Sequence, residues 1–160
     1  MMPGLCGPIV LPLEIIPPPD EAIPVGDDIL DDAVALWNDA SPLPLFVRVA
    51  APSAALGWIT VEQSSMDLWP EVEEGSAGAA WVTPNEGGEV VICIVRVDPL
   101  FAYTPEVYTR TVAHELGHCL GLADDPESLD LGSIMGDPPH WGARPTEHDL
   151  DLVLHGGCDG

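Results

Sequence analysis

Apolar positions first recur with helical spacing just after residue 26. They fall three or four residues apart, at Ile29, Ala33, Leu36 and Trp37. Acidic residues occupy the positions between them, as the solvent-facing side of an amphipathic helix requires. We therefore predict a helix that has Asp27 as its N-cap and that ends at Ser41-Pro42.

The segment before this helix shows no such period and is rich in proline. Residues 1–25 hold seven of the 18 prolines in the chain. Proline fixes φ and has no backbone N–H to donate, so this composition predicts an extended N-terminal arm. Residues 26–160 are predicted to form a single folded domain.

Short β-rich runs follow the first helix. They are bounded by proline, glycine and serine, and they predict strands over residues 45–49, 58–61, 78–83 and 89–97. A turn-forming sequence from Pro84 to Gly88 separates the last two runs. We expect those two strands to pair as a hairpin.

Two more helices are indicated toward the end of the chain. Thr104, followed by proline, is a typical helix start, and this helix should run to about Leu120 and stop at Gly121. Thr146 opens a final helix, with Asp149 as its capping-box partner. The order of one helix, several strands and two helices predicts an α+β fold.

The charge of the chain narrows the range of partners. Its 160 residues include 27 acidic and four basic side chains, which gives a net charge of −23. A surface with this balance repels nucleic-acid backbones and anionic membranes, so we expect neither as a partner. No run of 18 apolar residues occurs, so no segment is predicted to span a bilayer.

The segment His114-Glu115-Leu116-Gly117-His118 has the H-E-x-x-H pattern of zinc metalloproteases. Residues i and i+4 lie on one face of a helix, so His114 and His118 can direct a nitrogen at the same Zn²⁺ ion. Glu115 follows the first ligand and can reach a water at the metal without completing the coordination shell. The pattern predicts a catalytic zinc site with Glu115 as the general base.

A third ligand is expected just after this helix. Gly121 lies three residues beyond His118 and lets the chain leave the helix in a sharp turn. The residue six positions beyond His118 is Asp124, whose carboxylate is a suitable zinc ligand, and a fourth position stays open for water. Asp125 and His140 are alternatives for the third ligand.

The segment HELGHCLGLADD, followed by Ser133-Ile134-Met135-Gly136, resembles the metzincin clan of zinc endopeptidases. An aspartate as third ligand resembles the snapalysin type, whereas the words HELGH-x-LGL and SIM resemble matrixins. The resemblance covers about residues 107–137. It implies a zincin-like mixed sheet of about five strands with two long helices. A small C-terminal part, with a methionine turn and a final helix, would complete the fold.

The resemblance also implies an activity and roles for further residues. It implies a zinc-dependent endopeptidase that hydrolyses peptide bonds with metal-activated water, and Met135 would form an apolar floor beneath the metal. A protein or peptide substrate would pair with an edge strand over residues 78–83. Trp141 and Arg144 are candidates for the substrate pocket. The tyrosine that some members carry after the methionine is absent here. We expect a monomer.

Two alternatives to this interpretation stay open. A metal-binding but non-catalytic module, binding or inhibitory, would keep the same histidines without turnover. In a different zincin clan, Glu147 from the final helix would be the third ligand in place of Asp124. Calcium is a further candidate ion, for the acidic loop that holds Asp124, Asp125, Glu127 and Asp130.

Four cysteines occur, at positions 6, 93, 119 and 158. An even number without a C-x-x-C pair favours two disulfides over a zinc knuckle. A bond between Cys119 and Cys158 would tie the last helix to the motif helix, which leaves Cys6 for Cys93. The alternatives are a Cys6 thiolate that blocks the metal, or four reduced cysteines in a cytosolic protein.

The cysteine count and the acidity together predict a secreted protein. The start of the chain has no basic segment, and Pro8 and Pro12 interrupt its apolar run, so no signal peptide is recognisable. We expect that such a segment has been removed.

Overall fold

A computed structural model describes residues 11–52, 57–65, 77–84, 91–100, 104–124, 132–136, 142 and 144–154. Across these residues the fold is α+β, with a mixed six-stranded sheet and three helices. The elements are β1 (Leu13–Ile15), β2 (Ile23–Pro24), α1 (Asp27–Asn38), β3 (Phe46–Arg48), β4 (Gly57–Gln63), β5 (Gly78–Pro84), β6 (Val91–Val97), α2 (Pro105–Cys119) and α3 (Glu147–Leu154).

The main path of the sheet runs in the order β3-β1-β4-β6-β5, and β2 pairs with β4 beside this path. β1 is parallel to both of its neighbours, and β4 is parallel to β6. β5 runs antiparallel to β6, which confirms the predicted hairpin pairing of these two runs. β5 also forms one edge of the path, as the resemblance implied.

The described part of the predicted N-terminal arm is extended, but it belongs to the sheet. β1 lies inside the sheet, between β3 and β4. Leu13 and Ile15 are buried while Glu14 between them is not, so the short segment has the alternation of a strand. Pro12 and Pro17 flank this strand and take no place in its ladder, which is why a proline-rich segment could join a sheet.

Helix α1 begins where it was predicted, but its N-cap is different. Gly26 is the N-cap residue and makes no side-chain capping bond, so the prediction of Asp27 at this position was wrong. Asp27 is the first helical residue, and its carboxylate accepts a hydrogen bond of 2.7 Å from Arg48. Gly26 has a non-helical ψ of 142°, so the capping position falls one residue before the predicted one.

Helices α1 and α2 pack against each other, and α2 also packs against β5 and β6. Trp37 of α1 is fully buried, and its indole N–H donates a hydrogen bond of 2.8 Å to the carbonyl oxygen of Ala113 in α2. The core lies between these helices and the sheet, with Val61 and Val95 paired in register at its centre. Within the described ranges, no helix combines the length and apolar character needed to cross a bilayer.

Candidate metal centre

Helix α2 carries the two motif histidines on one face. Its predicted start is confirmed, because the Thr104 hydroxyl accepts a hydrogen bond of 3.1 Å from the backbone N–H of Val107. The imidazole rings of His114 and His118 lie 5.0 Å apart between centroids and are nearly perpendicular. The i, i+4 spacing therefore brings two ring nitrogens to one place, as the sequence predicted.

The chain turns sharply after α2, at the glycine that the sequence singled out. Gly121 has a φ of +95°, a left-handed conformation that a side chain would disfavour. The N–H of Leu122 then donates to the carbonyl oxygen of Gly117 at 3.2 Å, which closes the turn. This turn directs the following residues back across the helix face and brings Asp124 to the histidines.

Backbone carbonyl groups fix the orientation of both imidazoles. The Nδ1–H of His114 donates to the carbonyl oxygen of Ile134 at 2.7 Å, and that of His118 donates to Leu122 at 2.7 Å. A carbonyl oxygen can only accept, so Nδ1 must carry the proton in each ring. In its neutral form each ring would therefore present the lone pair of Nε2, the atom that would bind a metal.

Three electron-pair donors converge at this point. Nε2 of His114 lies 3.0 Å from Oδ1 of Asp124, and Nε2 of His118 lies 3.2 Å from the same oxygen. Ligand atoms about 2.0–2.2 Å from one tetrahedral ion are separated from each other by about 3.3–3.5 Å. The two N–O separations lie just below that range, so these atoms could bind a single ion with little rearrangement.

A second combination of donors shares the same histidines. Ligand atoms of His114, Glu115 and His118 all lie within 4.8 Å of one another. Glu115 is set further back, because its Oε2 is 4.0 Å from Nε2 of His118. Oδ1 of Asp124 therefore lies closer to both Nε2 atoms than the Glu115 carboxylate does.

The charges of the site favour a cation between these groups. Burial lowers the pKa of His114, but the hydrogen bond to Asp124 and the charge of Glu115 outweigh it and raise that pKa to about 9. Burial also lowers the pKa of His118, but the hydrogen bond to Asp124 and the charge of Glu115 outweigh it, so that pKa is raised as well. Hydrogen bonds to both imidazoles hold the pKa of Asp124 far below its usual range. Without a metal ion, protons therefore supply the positive charge that this cluster requires.

Glu115 lies in a narrow space between α2 and the edge strand β5. Its side chain is buried, and burial raises the pKa of its carboxyl group. A Cβ at Gly78 would lie 3.0 Å from Cγ of Glu115 and 3.2 Å from its Oε1, so glycine makes this close approach possible. Gly78 begins the strand predicted over residues 78–83, and a glycine in a strand often marks a close approach of this kind.

The methionine turn packs directly beneath the motif. Met135 is almost fully buried, and a Cβ at Gly117 would overlap with its Sδ atom and approach Cζ2 of Trp37 to 2.9 Å. Gly117 is the second x of the H-E-x-x-H motif. A larger residue would not fit there, because the side chains of Met135 and Trp37 fill the space beside it. Met135 is therefore packed in the core against the motif helix, and its expected role as a floor beneath a metal stays a prediction.

A chain of hydrogen bonds holds this turn in place. The hydroxyl of Ser133 donates to Oδ2 of Asp149 at 2.7 Å and accepts from the N–H of Met135 at 2.9 Å. Oδ2 of Asp149 also accepts from the N–H of Thr146 at 2.9 Å, which confirms the predicted capping box. Asp149 therefore links the start of α3 to the turn that supplies the Ile134 carbonyl group. The sequence pattern showed only its capping role.

The described disulfide differs from the predicted pairing. Cys93 of β6 bonds to Cys119, the last residue of α2, so the predicted pairs Cys119–Cys158 and Cys6–Cys93 were wrong. Helix α2 packs on β6, which brings the two sulfur atoms together in the core. Cys6 and Cys158 lie outside the described residues. The bond fixes the C-terminal end of the motif helix to the sheet.

The remaining candidate residues lie apart from the cluster or outside the described ranges. Arg144 is exposed and borders a groove between α1 and the first half of α2, while its carbonyl oxygen accepts a hydrogen bond of 3.0 Å from the N–H of Ile134. Glu147 is exposed at the first position of α3. The candidates outside the described residues are Asp125, Glu127, Asp130, His140 and Trp141.

Comparisons with known proteins do not assign the chain to a family. No protein-family model matches the sequence, and no curated protein matches it significantly.

Proposed function

We propose that this protein is a zinc-dependent endopeptidase of the metzincin type. The observation that carries the proposal is the convergence of Nε2 of His114, Nε2 of His118 and Oδ1 of Asp124, with N–O distances of 3.0 and 3.2 Å. Three lone pairs at this spacing need a positive charge between them, which protons supply in the metal-free protein and which a divalent ion would supply when bound. We therefore propose His114, His118 and Asp124 as the three ligands of the metal ion.

The donor set suits Zn²⁺ better than calcium. Imidazole nitrogen is a preferred ligand of zinc, whereas calcium sites in proteins use six to eight oxygen atoms. The three proposed ligands leave one position of a tetrahedral ion for water or substrate, as catalytic sites do. When bound, such an ion supplies Lewis acidity that lets water lose a proton near neutral pH.

Glu115 is the proposed general base. Its carboxylate stands beside the ligand cluster, with Oε2 at 4.0 Å from Nε2 of His118. It can accept a proton from the attacking water and then transfer that proton to the leaving amine. Because Gly78 has no side chain, β5 approaches this carboxylate without displacing it.

The edge strand β5 is the proposed platform for the substrate. β5 pairs with β6 on one side and ends the main path of the sheet. Its first residue, Gly78, adjoins Glu115, so a peptide aligned along this edge would pass close to the base. We also propose that the protein is secreted, and the buried Cys93–Cys119 disulfide supports an oxidising compartment.

Substitution of the base separates metal binding from catalysis. Glu115→Gln should bind Zn²⁺ as the unaltered protein does and should lose at least about 100-fold in kcat/KM for casein-derived peptides, within the usual range for a general base. Glu106→Gln is the matched control, because Glu106 is an exposed residue of the same helix. Undiminished cleavage by Glu115→Gln would refute the assignment of the base.

Substitution of the third ligand tests the metal site itself. Asp124→Ala should lower bound zinc well below one equivalent, measured by elemental analysis after dialysis, whereas Asp39→Ala at an exposed position should not. Full zinc content in Asp124→Ala would instead favour Glu147 or His140 as the ligand. Tight zinc binding by the unaltered protein without cleavage of any casein peptide would favour the non-catalytic module.

A further inference from the structure

The basic side chains described by the structure are largely neutralised by neighbouring acids. Arg48 pairs with Asp27 and Asp31 at 2.7 Å each. Two other arginines also have acidic partners: Arg96 pairs with Glu62, and Arg110 pairs with Glu106. Because the whole chain has four basic residues and no lysine, these ion pairs leave little positive potential at the surface.

The edge strand beside the candidate centre adds no positive charge of its own, and Arg96, whose guanidinium lies over the Trp81 ring of β5, is paired with Glu62. β5 carries no charged residue, and the carboxylate of Asp124 is half-exposed. A bound divalent ion would offset two of the 23 net negative charges, so the protein would still attract cations and repel anions.

We infer that the substrate of the proposed endopeptidase is a cationic polypeptide, rich in lysine and arginine. This inference rests on the proposed function and adds the substrate class to it. The negative field of the whole protein concentrates cationic chains around it and raises the rate of encounter. Fields of this kind change association rates by 10- to about 1,000-fold, and salt screens them within about 8–10 Å at physiological ionic strength. A high negative charge that served solubility alone would not require any preference among substrates.

Three matched peptides test the inference. They share one central sequence, taken from a casein site that the protein cleaves, and carry flanks of lysine, serine or glutamate. At about 20 mM NaCl, kcat/KM should be at least about tenfold higher with lysine flanks than with serine flanks. Glutamate flanks should lower it by a similar factor. At about 0.5 M NaCl the three values should agree within about threefold, because salt screens the field.

A surface variant distinguishes the field from a local pocket. Changing Asp20, Glu21, Asp32 and Asp39 to lysine raises the net charge from −23 to −15, and all four residues are exposed. The logarithm of the lysine-to-glutamate preference should fall by about a third, while cleavage of the serine-flanked peptide stays unchanged.

The possible outcomes separate the inference from the proposed function. Equal cleavage of the three peptides at low salt overturns the inference and leaves the endopeptidase proposal standing. A preference for lysine that persists at high salt, or that the surface variant leaves unchanged, also overturns it, because a local contact would then be responsible. If no peptide is cleaved by zinc-loaded protein, the proposed function fails and the substrate class fails with it.

Discussion

Ser133 connects the folding of the C-terminal part to the orientation of a proposed metal ligand. Its hydroxyl is fully buried, donates to Asp149 and accepts from the N–H of Met135. The residue between Ser133 and Met135 is Ile134, whose carbonyl oxygen accepts the Nδ1–H of His114. Ser133→Ala should therefore loosen the turn and the imidazole together.

The expected magnitude follows from the two lost hydrogen bonds. The bond to the Asp149 carboxylate involves a charged partner and contributes about 1.5–3 kcal/mol, and the Met135 N–H is left buried without an acceptor, which costs about 1–3 kcal/mol. Because the structure can relax in part, we expect the free energy of unfolding to fall by about 2–4 kcal/mol. Loss of a group that orients a metal-binding histidine typically weakens metal binding by about 10- to 100-fold.

Two measurements on the same variants check this reasoning. Urea unfolding of the metal-free proteins gives the stability change, and competition with a chromophoric chelator gives the zinc dissociation constant. Thr146→Ala is the matched control: it removes the hydroxyl that accepts from the N–H of Asp149 at 3.3 Å and leaves the Ser133–Asp149 bond intact. This variant should lose about 0.5–2 kcal/mol of stability and keep its affinity for zinc.

The comparison of the two variants decides the outcome. If Ser133→Ala loses stability as expected but binds zinc within twofold of the unaltered protein, then the turn does not orient His114. The proposed link between the C-terminal part and the metal centre would be refuted, although the packing of the turn would remain as described.

Two further predictions concern stability. Replacing both Cys93 and Cys119 by serine should lower the free energy of unfolding by about 3.5 kcal/mol, which is the loop-entropy value for a separation of 26 residues. Urea unfolding of the two proteins would measure this change. If the variant unfolds at the same urea concentration as the unaltered protein, the bond does not form. Among the described residues, the buried hydroxyl of Tyr108 has no hydrogen-bond partner, and burial raises its pKa to about 12. The unfolded chain loses this proton near pH 10, so the folded state should lose stability between about pH 10 and 12. Tyr108→Phe should remove that part of the alkaline destabilisation, and identical pH profiles for the two proteins would contradict the shift.

The parts of the site that depend on local sequence could be predicted without coordinates. His114 and His118 share a face because of helix geometry alone, and Gly121 ends that helix because a left-handed residue is needed there. The return of Asp124 to the histidines follows from that turn. These features involve residues close together in the chain, where spacing determines position.

The parts that depend on distant segments could not be predicted. Nothing in the sequence near Cys93 indicates that it will face Cys119, because that contact depends on which strand α2 packs against. The link from Asp149 to Ser133 is hidden in the same way, since the capping box alone explains Asp149. The proline-rich composition gave no sign of β1. Its three residues form a strand because they pair with β3 and β4, which come later in the sequence.

The position of β1 limits how the N-terminus of this protein could be trimmed during maturation. β1 lies between β3 and β4 and is hydrogen-bonded to both. A processing enzyme that cut before Leu13 would leave the sheet intact, whereas a cut beyond Ile15 would detach β3 from the remaining strands. N-terminal trimming that keeps the sheet intact must therefore stop before Leu13.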